Sequence, residues 1–133
     1  MSDYREVART ARSYVVSQGM TPKAAWDEAA ARAFKNNSSK AKNGYPRSTF
    51  IALCEAGLVK GIPAGSYLDR AGDVREYAVR LVELLVADPN YEDETEDLFS
   101  EATKGRVPEN GQLDVLFGLW NHGLIERPPK PGA

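Results

Sequence analysis

The sequence predicts an all-α protein of about six helices, built as two similar three-helix units packed into one core. Three observations carry this expectation. Apolar residues recur at steps of three and four along most of the chain, the period of a one-sided helix. Glycines and prolines stand where these stretches end. The order of the stretches also repeats: DYREVA at 3–8 returns as DVREYA at 73–78, and FIALCEAGLVKGIP at 50–63 as LFGLWNHGLIERPP at 116–129. An internal duplication explains that order.

The first helix places Tyr4, Val7, Ala8, Ala11, Tyr14 and Val15 on one face, with Ser2 or Asp3 as its cap and Gly19 as its stop. Thr21-Pro22 opens the second, a cap followed by proline in the first turn. Its stripe is Trp26, Ala29, Ala30, Ala33 and Phe34, with alanines that let another helix approach closely. Asn36 to Gly44 is too rich in turn formers to continue it. The third helix begins at Pro46 and holds five apolar residues in a row, Phe50 to Cys54, which marks it as central. Gly57 suits a left-handed cap. Gly61 and Pro63 then leave Val59 and Ile62 extended.

The fourth helix starts at Asp73, carries Val74, Tyr77, Ala78, Leu81, Leu84 and Leu85, and stops at Asp88-Pro89. Residues 91–104 form a weaker helix with Tyr91, Leu98, Phe99 and Ala102, its five acids lying toward the N-terminus, where the helix dipole tolerates them. After a loop at 105–111 the last helix carries Leu113, Leu116, Phe117 and Trp120, and Gly123 ends it. The domain is expected to span 1–125, with unit one at 3–66 and unit two at 73–125. Residues 126–133 form a proline-rich flexible tail. Units of ~60 residues are marginal alone, so the two should share a core.

The stretch from Phe34 to Tyr67 carries a pattern: Ser38, Ser39 and Lys42 in a basic loop, then Pro46-Arg47, Phe50, Leu53 and Cys54 in a helix, then Gly57, Val59, Gly61, Ile62 and Pro63. It resembles the centre of a small bacterial protein family of unknown function, which continues into a Tyr-Ala helix matched by Tyr77, Ala78, Leu84 and Leu85. That family often has cysteine just before the proline, where this chain has Tyr45, so any thiol chemistry at that place is absent here. The resemblance implies a fold and no activity.

Composition narrows the function classes. With 133 residues the chain fits one domain, and its one cysteine, Cys54, excludes an internal disulfide and suits a reducing compartment. The start, MSDYREVART, has no signal-peptide character, and no apolar run nears the ~20 residues that span a bilayer. A cytoplasmic protein with no membrane partner is expected. The net charge of −2 hides an asymmetry. Residues 1–66 hold ten Lys and Arg against five Asp and Glu, and residues 67–133 hold seven against fourteen.

No strong catalytic motif occurs. His122, the one histidine, precedes Gly123 at a helix end, where it can bond free carbonyls. Cys54 lies in the most apolar run and reads as an inert core residue. Glu92, Asp93, Glu96 and Asp97 include i, i+4 pairs on one helix but lack a cation loop's spacing, and read as a solvated face. Trp26 and Trp120 read as core. No cofactor and no metal site is expected. The candidate binding residues are Arg32, Lys35, Lys40, Lys42 and Arg47, in a segment without acids that leads into a helix N-terminus, a favourable place for anions. The expected function is a non-enzymatic protein-interaction or adaptor module. It would use a charged surface on an acidic protein partner or on a second copy of itself. The alternative is a nucleic-acid binder with a helix-turn-helix-like first unit and residues 32–47 on phosphates.

Overall fold

Helix starts follow the capping residues. The structure is a computed structural model that describes residues 3–68 and 73–126. Helix α1 (Tyr4–Gln18) begins where the Asp3 carboxylate accepts the Glu6 N–H at 3.1 Å, and α2 (Pro22–Ala33) where the Thr21 hydroxyl accepts that of Ala24 at 3.2 Å. The segment expected to be all loop contains one helical turn, α3 (Ser38–Ala41), because Asn37 caps the Lys40 N–H. Helix α4 (Gly44–Glu55) starts two residues before Pro46, with Asn43 as its cap. Then come α5 (Val74–Ala87), a 3-10 turn (Pro89–Asp93), α6 (Thr95–Thr103) and α7 (Gln112–Trp120).

The helix expected over 91–104 is split. Glu94, at φ −126° and ψ 55°, leaves the helical region between the 3-10 turn and α6. Asp88-Pro89 starts that turn, and the Asp88 carboxylate accepts the Asn90 N–H. Glu92 and Asp93 therefore lie on a different element from Glu96 and Asp97, and the i, i+4 carboxylate pairs expected on one helix do not form.

The described residues are all-α, with one isolated antiparallel bridge, Val59 to Ile125. Around it Lys60 N–H donates to the Leu124 carbonyl at 2.9 Å and Glu126 N–H to that of Leu58 at 2.8 Å. Glu126, expected in the tail, is thereby held. The rest of the tail, 127–133, lies outside the described residues. The ends of α4 and α7 are closed alike. Gly57 and Gly123 have φ of 76° and 68°. Leu58 N–H reaches back to Leu53, and Leu124 N–H to Leu119, the long bond of a glycine-terminated helix. Glu55, read as one more helix residue in the sequence, is buried, and its carboxylate accepts the N–H groups of Tyr67 and Leu68. It ties the exit chain to the end of α4.

At the centre α4 and α7 face each other. Helix α1 packs on α2 and α7, and α5 packs on α6 and α4. Gly118 sets the first contact: a Cβ there would lie 2.6 Å from the Arg5 backbone, so α1 rests directly on α7. The buried side chains form one cluster drawn from both halves, with Trp26, Phe50, Leu53, Leu85, Leu98, Leu116 and Leu119 among its most enclosed members. Among the described residues no helix is long and apolar enough to cross a membrane.

Candidate ligand cavity

The basic segment is largely committed within the chain. Arg47 on α4 donates two hydrogen bonds to Asp27 on α2, at 2.8 and 3.2 Å. Arg32 pairs with Glu28 at 2.7 Å, and that hydrogen bond holds its guanidinium above the usual range. The Lys40 ammonium lies 5.1 Å from the centroid of Phe34 and 6.0 Å from that of Tyr4. Lys40 thus covers an aromatic face, where the sequence had placed it in a solvated loop. Lys35 and Lys42 are exposed. The helix start behind the segment is also poor in donors for an anion. The Asn43 side chain takes the Tyr45 N–H at 3.1 Å, and Pro46 has none to offer.

The other candidates fall as the sequence reads them or further from chemistry. Cys54 is buried, and burial pushes its thiol far above the ordinary range, so no thiolate forms near neutrality. His122 is exposed in the turn after α7. Trp26 is core. Trp120 is half-buried, and its indole N–H donates to Glu92. Among the described residues no group of three or more His, Cys, Asp or Glu is placed to hold a metal ion.

What the sequence did not reveal is a cavity of about 380 Å³ between the start of α4, the first half of α5, the end of α6 and residues 107–112. Val74, Tyr77, Leu81, Phe99 and Val107 supply its apolar wall. Asn43, Ser48, Thr49, Thr103, Asn110 and Gln112 supply amides and hydroxyls. No carboxylate, ammonium, guanidinium, imidazole or thiol lines it.

The polar groups are fixed by the helices that carry them. Thr49 donates its hydroxyl to the Tyr45 carbonyl at 3.0 Å and Thr103 to that of Phe99 at 2.8 Å, which leaves both oxygens as acceptors. The Asn43 amide donates to the Asn110 side-chain oxygen at 3.0 Å and so joins the starts of α4 and α7 across the cavity rim. Gln112 folds onto its own turn, accepting from Asn110 N–H and donating to the Pro108 carbonyl.

The corresponding place in the first half is full. Tyr4 stacks on Trp26 with centroids 6.4 Å apart and meets Phe34 edge-on at 5.2 Å. Its hydroxyl donates to the Lys40 carbonyl at 3.0 Å, and the Asn43 amide donates to it at 3.4 Å. Gly111 and Pro46 lie against the ring, so close that a Cβ on Gly111 would sit 3.0 Å from it. Seventy residues after Tyr4 stands Val74. The buried set Ala25, Trp26, Ala29, Ala30 of α2 returns 73 residues later as Leu98, Phe99, Ala102, Thr103 of α6, and Phe34 as Val107. The sequence held this signal in the match of α2 to α6, the one helix pair of the repeat that its motifs do not display.

Fold and cavity together define a small all-α protein with a neutral, apolar-walled site. The chain belongs to a family of unknown function (DUF6979), whose model matches residues 1–126. Comparison with curated proteins and with solved structures gave no match.

Proposed function

We propose that this protein is a small non-catalytic binding protein and that the cavity beside the start of α4 is its ligand site. The observation that carries the reading is the lining. Its volume lies in the range of small-molecule sites, and its wall is apolar with amides and hydroxyls at fixed positions. Such groups hold a neutral ligand by shape and hydrogen bonding. General acid–base catalysis asks for a group that titrates near the working pH, and among the described residues none lines the cavity. A charged-surface adaptor is less favoured, because Arg32, Lys40 and Arg47 are already engaged inside the chain.

The reading includes an internal duplication, supported by the alike closures of α4 and α7 and by the bridge between residues 66 apart in sequence. In it, one unit kept an aromatic plug that the other lacks. Further family sequences test that part: halves that align at three unrelated offsets from member to member would remove it.

The binding reading is tested by titrating the isotope-labelled protein with a set of small neutral fragments and following amide shifts. Shifts clustered on 43–49, 74–81 and 103–112 are expected. Shifts elsewhere, or none with any fragment at millimolar concentration, would overturn it.

A further inference from the structure

We infer that the ligand is a free, uncharged aromatic molecule of one or two rings carrying a hydroxyl or similar hydrogen-bonding substituent. This rests on the binding reading above and deepens it. The argument comes from the first half, where the fold displays how such a space is filled. There a phenol ring, Tyr4, lies against Gly111 and Pro46, meets two further rings, and holds its hydroxyl to a carbonyl and to the Asn43 amide. The cavity offers the matching surroundings without the ring. Tyr77 and Phe99 supply aromatic faces and edges, and Val74 and Val107 stand where Tyr4 and Phe34 would. Planar rings with offset or edge-on neighbours gain beyond simple area burial.

Charge decides the next point. A carboxylate or ammonium brought into this lining would lose water and meet no counter-ion, a large penalty. A neutral hydroxyl needs only one or two partners, and the lining has them. The Thr49 and Thr103 oxygens are left as acceptors by their helix bonds, and the Ser48 and Tyr77 hydroxyls have no hydrogen bond among the described residues.

The rim decides between a free molecule and a side chain presented by a partner protein. A protein partner needs an apolar collar around the anchor pocket. Of the large apolar side chains exposed among the described residues, only Tyr45 stands at this cavity, and Val16 is on α1. One tyrosine does not make a collar.

The test measures binding of 4-methylphenol, indole, toluene, cyclohexanol and benzoate to the full chain by calorimetry and amide shifts. A tyrosine- and tryptophan-containing peptide serves as the partner arm. The phenol and indole should bind at the cavity about tenfold more tightly than toluene or cyclohexanol, and benzoate should not bind. Two variants copy the first half, Val107→Phe and Val74→Tyr. Each should weaken phenol binding at least tenfold while raising the melting temperature of the free protein. Two variants are used so that misfolding of one leaves the other to decide. Equal binding of cyclohexanol and 4-methylphenol would overturn the aromatic inference and leave the binding reading standing, as would tighter binding of benzoate. Tighter binding of the peptide than of any free ring would overturn the free-molecule assignment. No cavity shifts with any probe would overturn both.

Discussion

The aromatic site under the start of α7 and the cavity under the start of α4 are built from corresponding helices and end differently. In the first, α1 lies on α7 without an intervening side chain, because Gly118 leaves no room for one and Ala8 and Ala11 are small. Tyr4, Trp26 and Phe34 then close the space. In the second, Ala52 stands at the place of Gly118, Leu81 at that of Ala11 and Tyr77 at that of Val7. The bulk has moved from the rim of the site to the helix contact, and the rim positions are the valines. The difference teaches that a cavity here does not require a smaller set of residues. It requires that the large residues sit between the helices instead of over the opening.

The sharpest way to break this comparison is to empty the filled site. Trp26→Ala should cost about 3–5 kcal/mol, the usual range for a buried aromatic, because Trp26 is fully enclosed and touches both Tyr4 and Phe50. Phe99→Ala should cost clearly less, since one side of that ring already borders empty space. Urea unfolding of both variants measures it, and equal losses would mean that the cavity wall is packed as tightly as the aromatic site.

The helix contact comes next in size. Gly118→Ala should destabilise by about 1–3 kcal/mol, the range for overpacking, since the clash is with backbone, which cannot swing aside. Ala52→Gly removes a buried methyl from a helix interior and should cost about 1 kcal/mol from lost backbone restriction alone. A Gly118→Ala protein with an unchanged melting curve would show that α1 can lift off α7 and that the close contact is not what distinguishes the two halves.

Much of this was legible in the sequence, and the boundary of legibility has a physical cause. Caps and stops are local: Asp3, Thr21, Gly19, Gly57 and Gly123 act within one turn of themselves, and each sits where the sequence put it. The split at Glu94 was hidden because the acids on both sides satisfy a helix N-terminus equally well at either start. The role of Lys40 was hidden because its aromatic partners, Tyr4 and Phe34, come from two other segments. The cavity is the extreme case. It exists only through the relative sizes of side chains on three helices, and no residue that lines it carries chemistry that would mark it.

A smaller effect sharpens the surface side of the comparison. Lys40→Ser should cost about 0.5–1 kcal/mol through its lost cation–aromatic contact. Lys35→Ser and Lys42→Ser should stay within about 0.5 kcal/mol, as exposed substitutions do. Thermal melts separate them. A loss at Lys35 or Lys42 as large as at Lys40 would show that all three act through charge and that the rings are incidental.

The smallest effect concerns a titrating group that only the filled half carries. Asp114, on α7, stands 66 residues after Ser48, which lines the cavity. Partial burial raises the Asp114 carboxyl above its ordinary value, and the nearby Arg5, 3.5 Å away, pulls it back only in part. A carboxyl whose folded-state pKa is raised binds its proton more readily folded than unfolded. Its stabilising contribution is therefore complete below the unfolded value of 3.8 and is lost as pH rises through the folded one. Asp114→Ser copies the cavity half and removes this dependence. Relative to the parent, the variant should gain in melting temperature between about pH 3.5 and pH 6. The gain should be well under about 1 kcal/mol, because the carboxylate keeps 41% of its surface exposed and water screens such charges. A variant that loses ground as pH rises over that window would give the opposite sign. The Arg5 ion pair would then outweigh burial, and the edge of the aromatic site would be held by charge, where the edge of the cavity is held by hydrogen bonds between neutral groups.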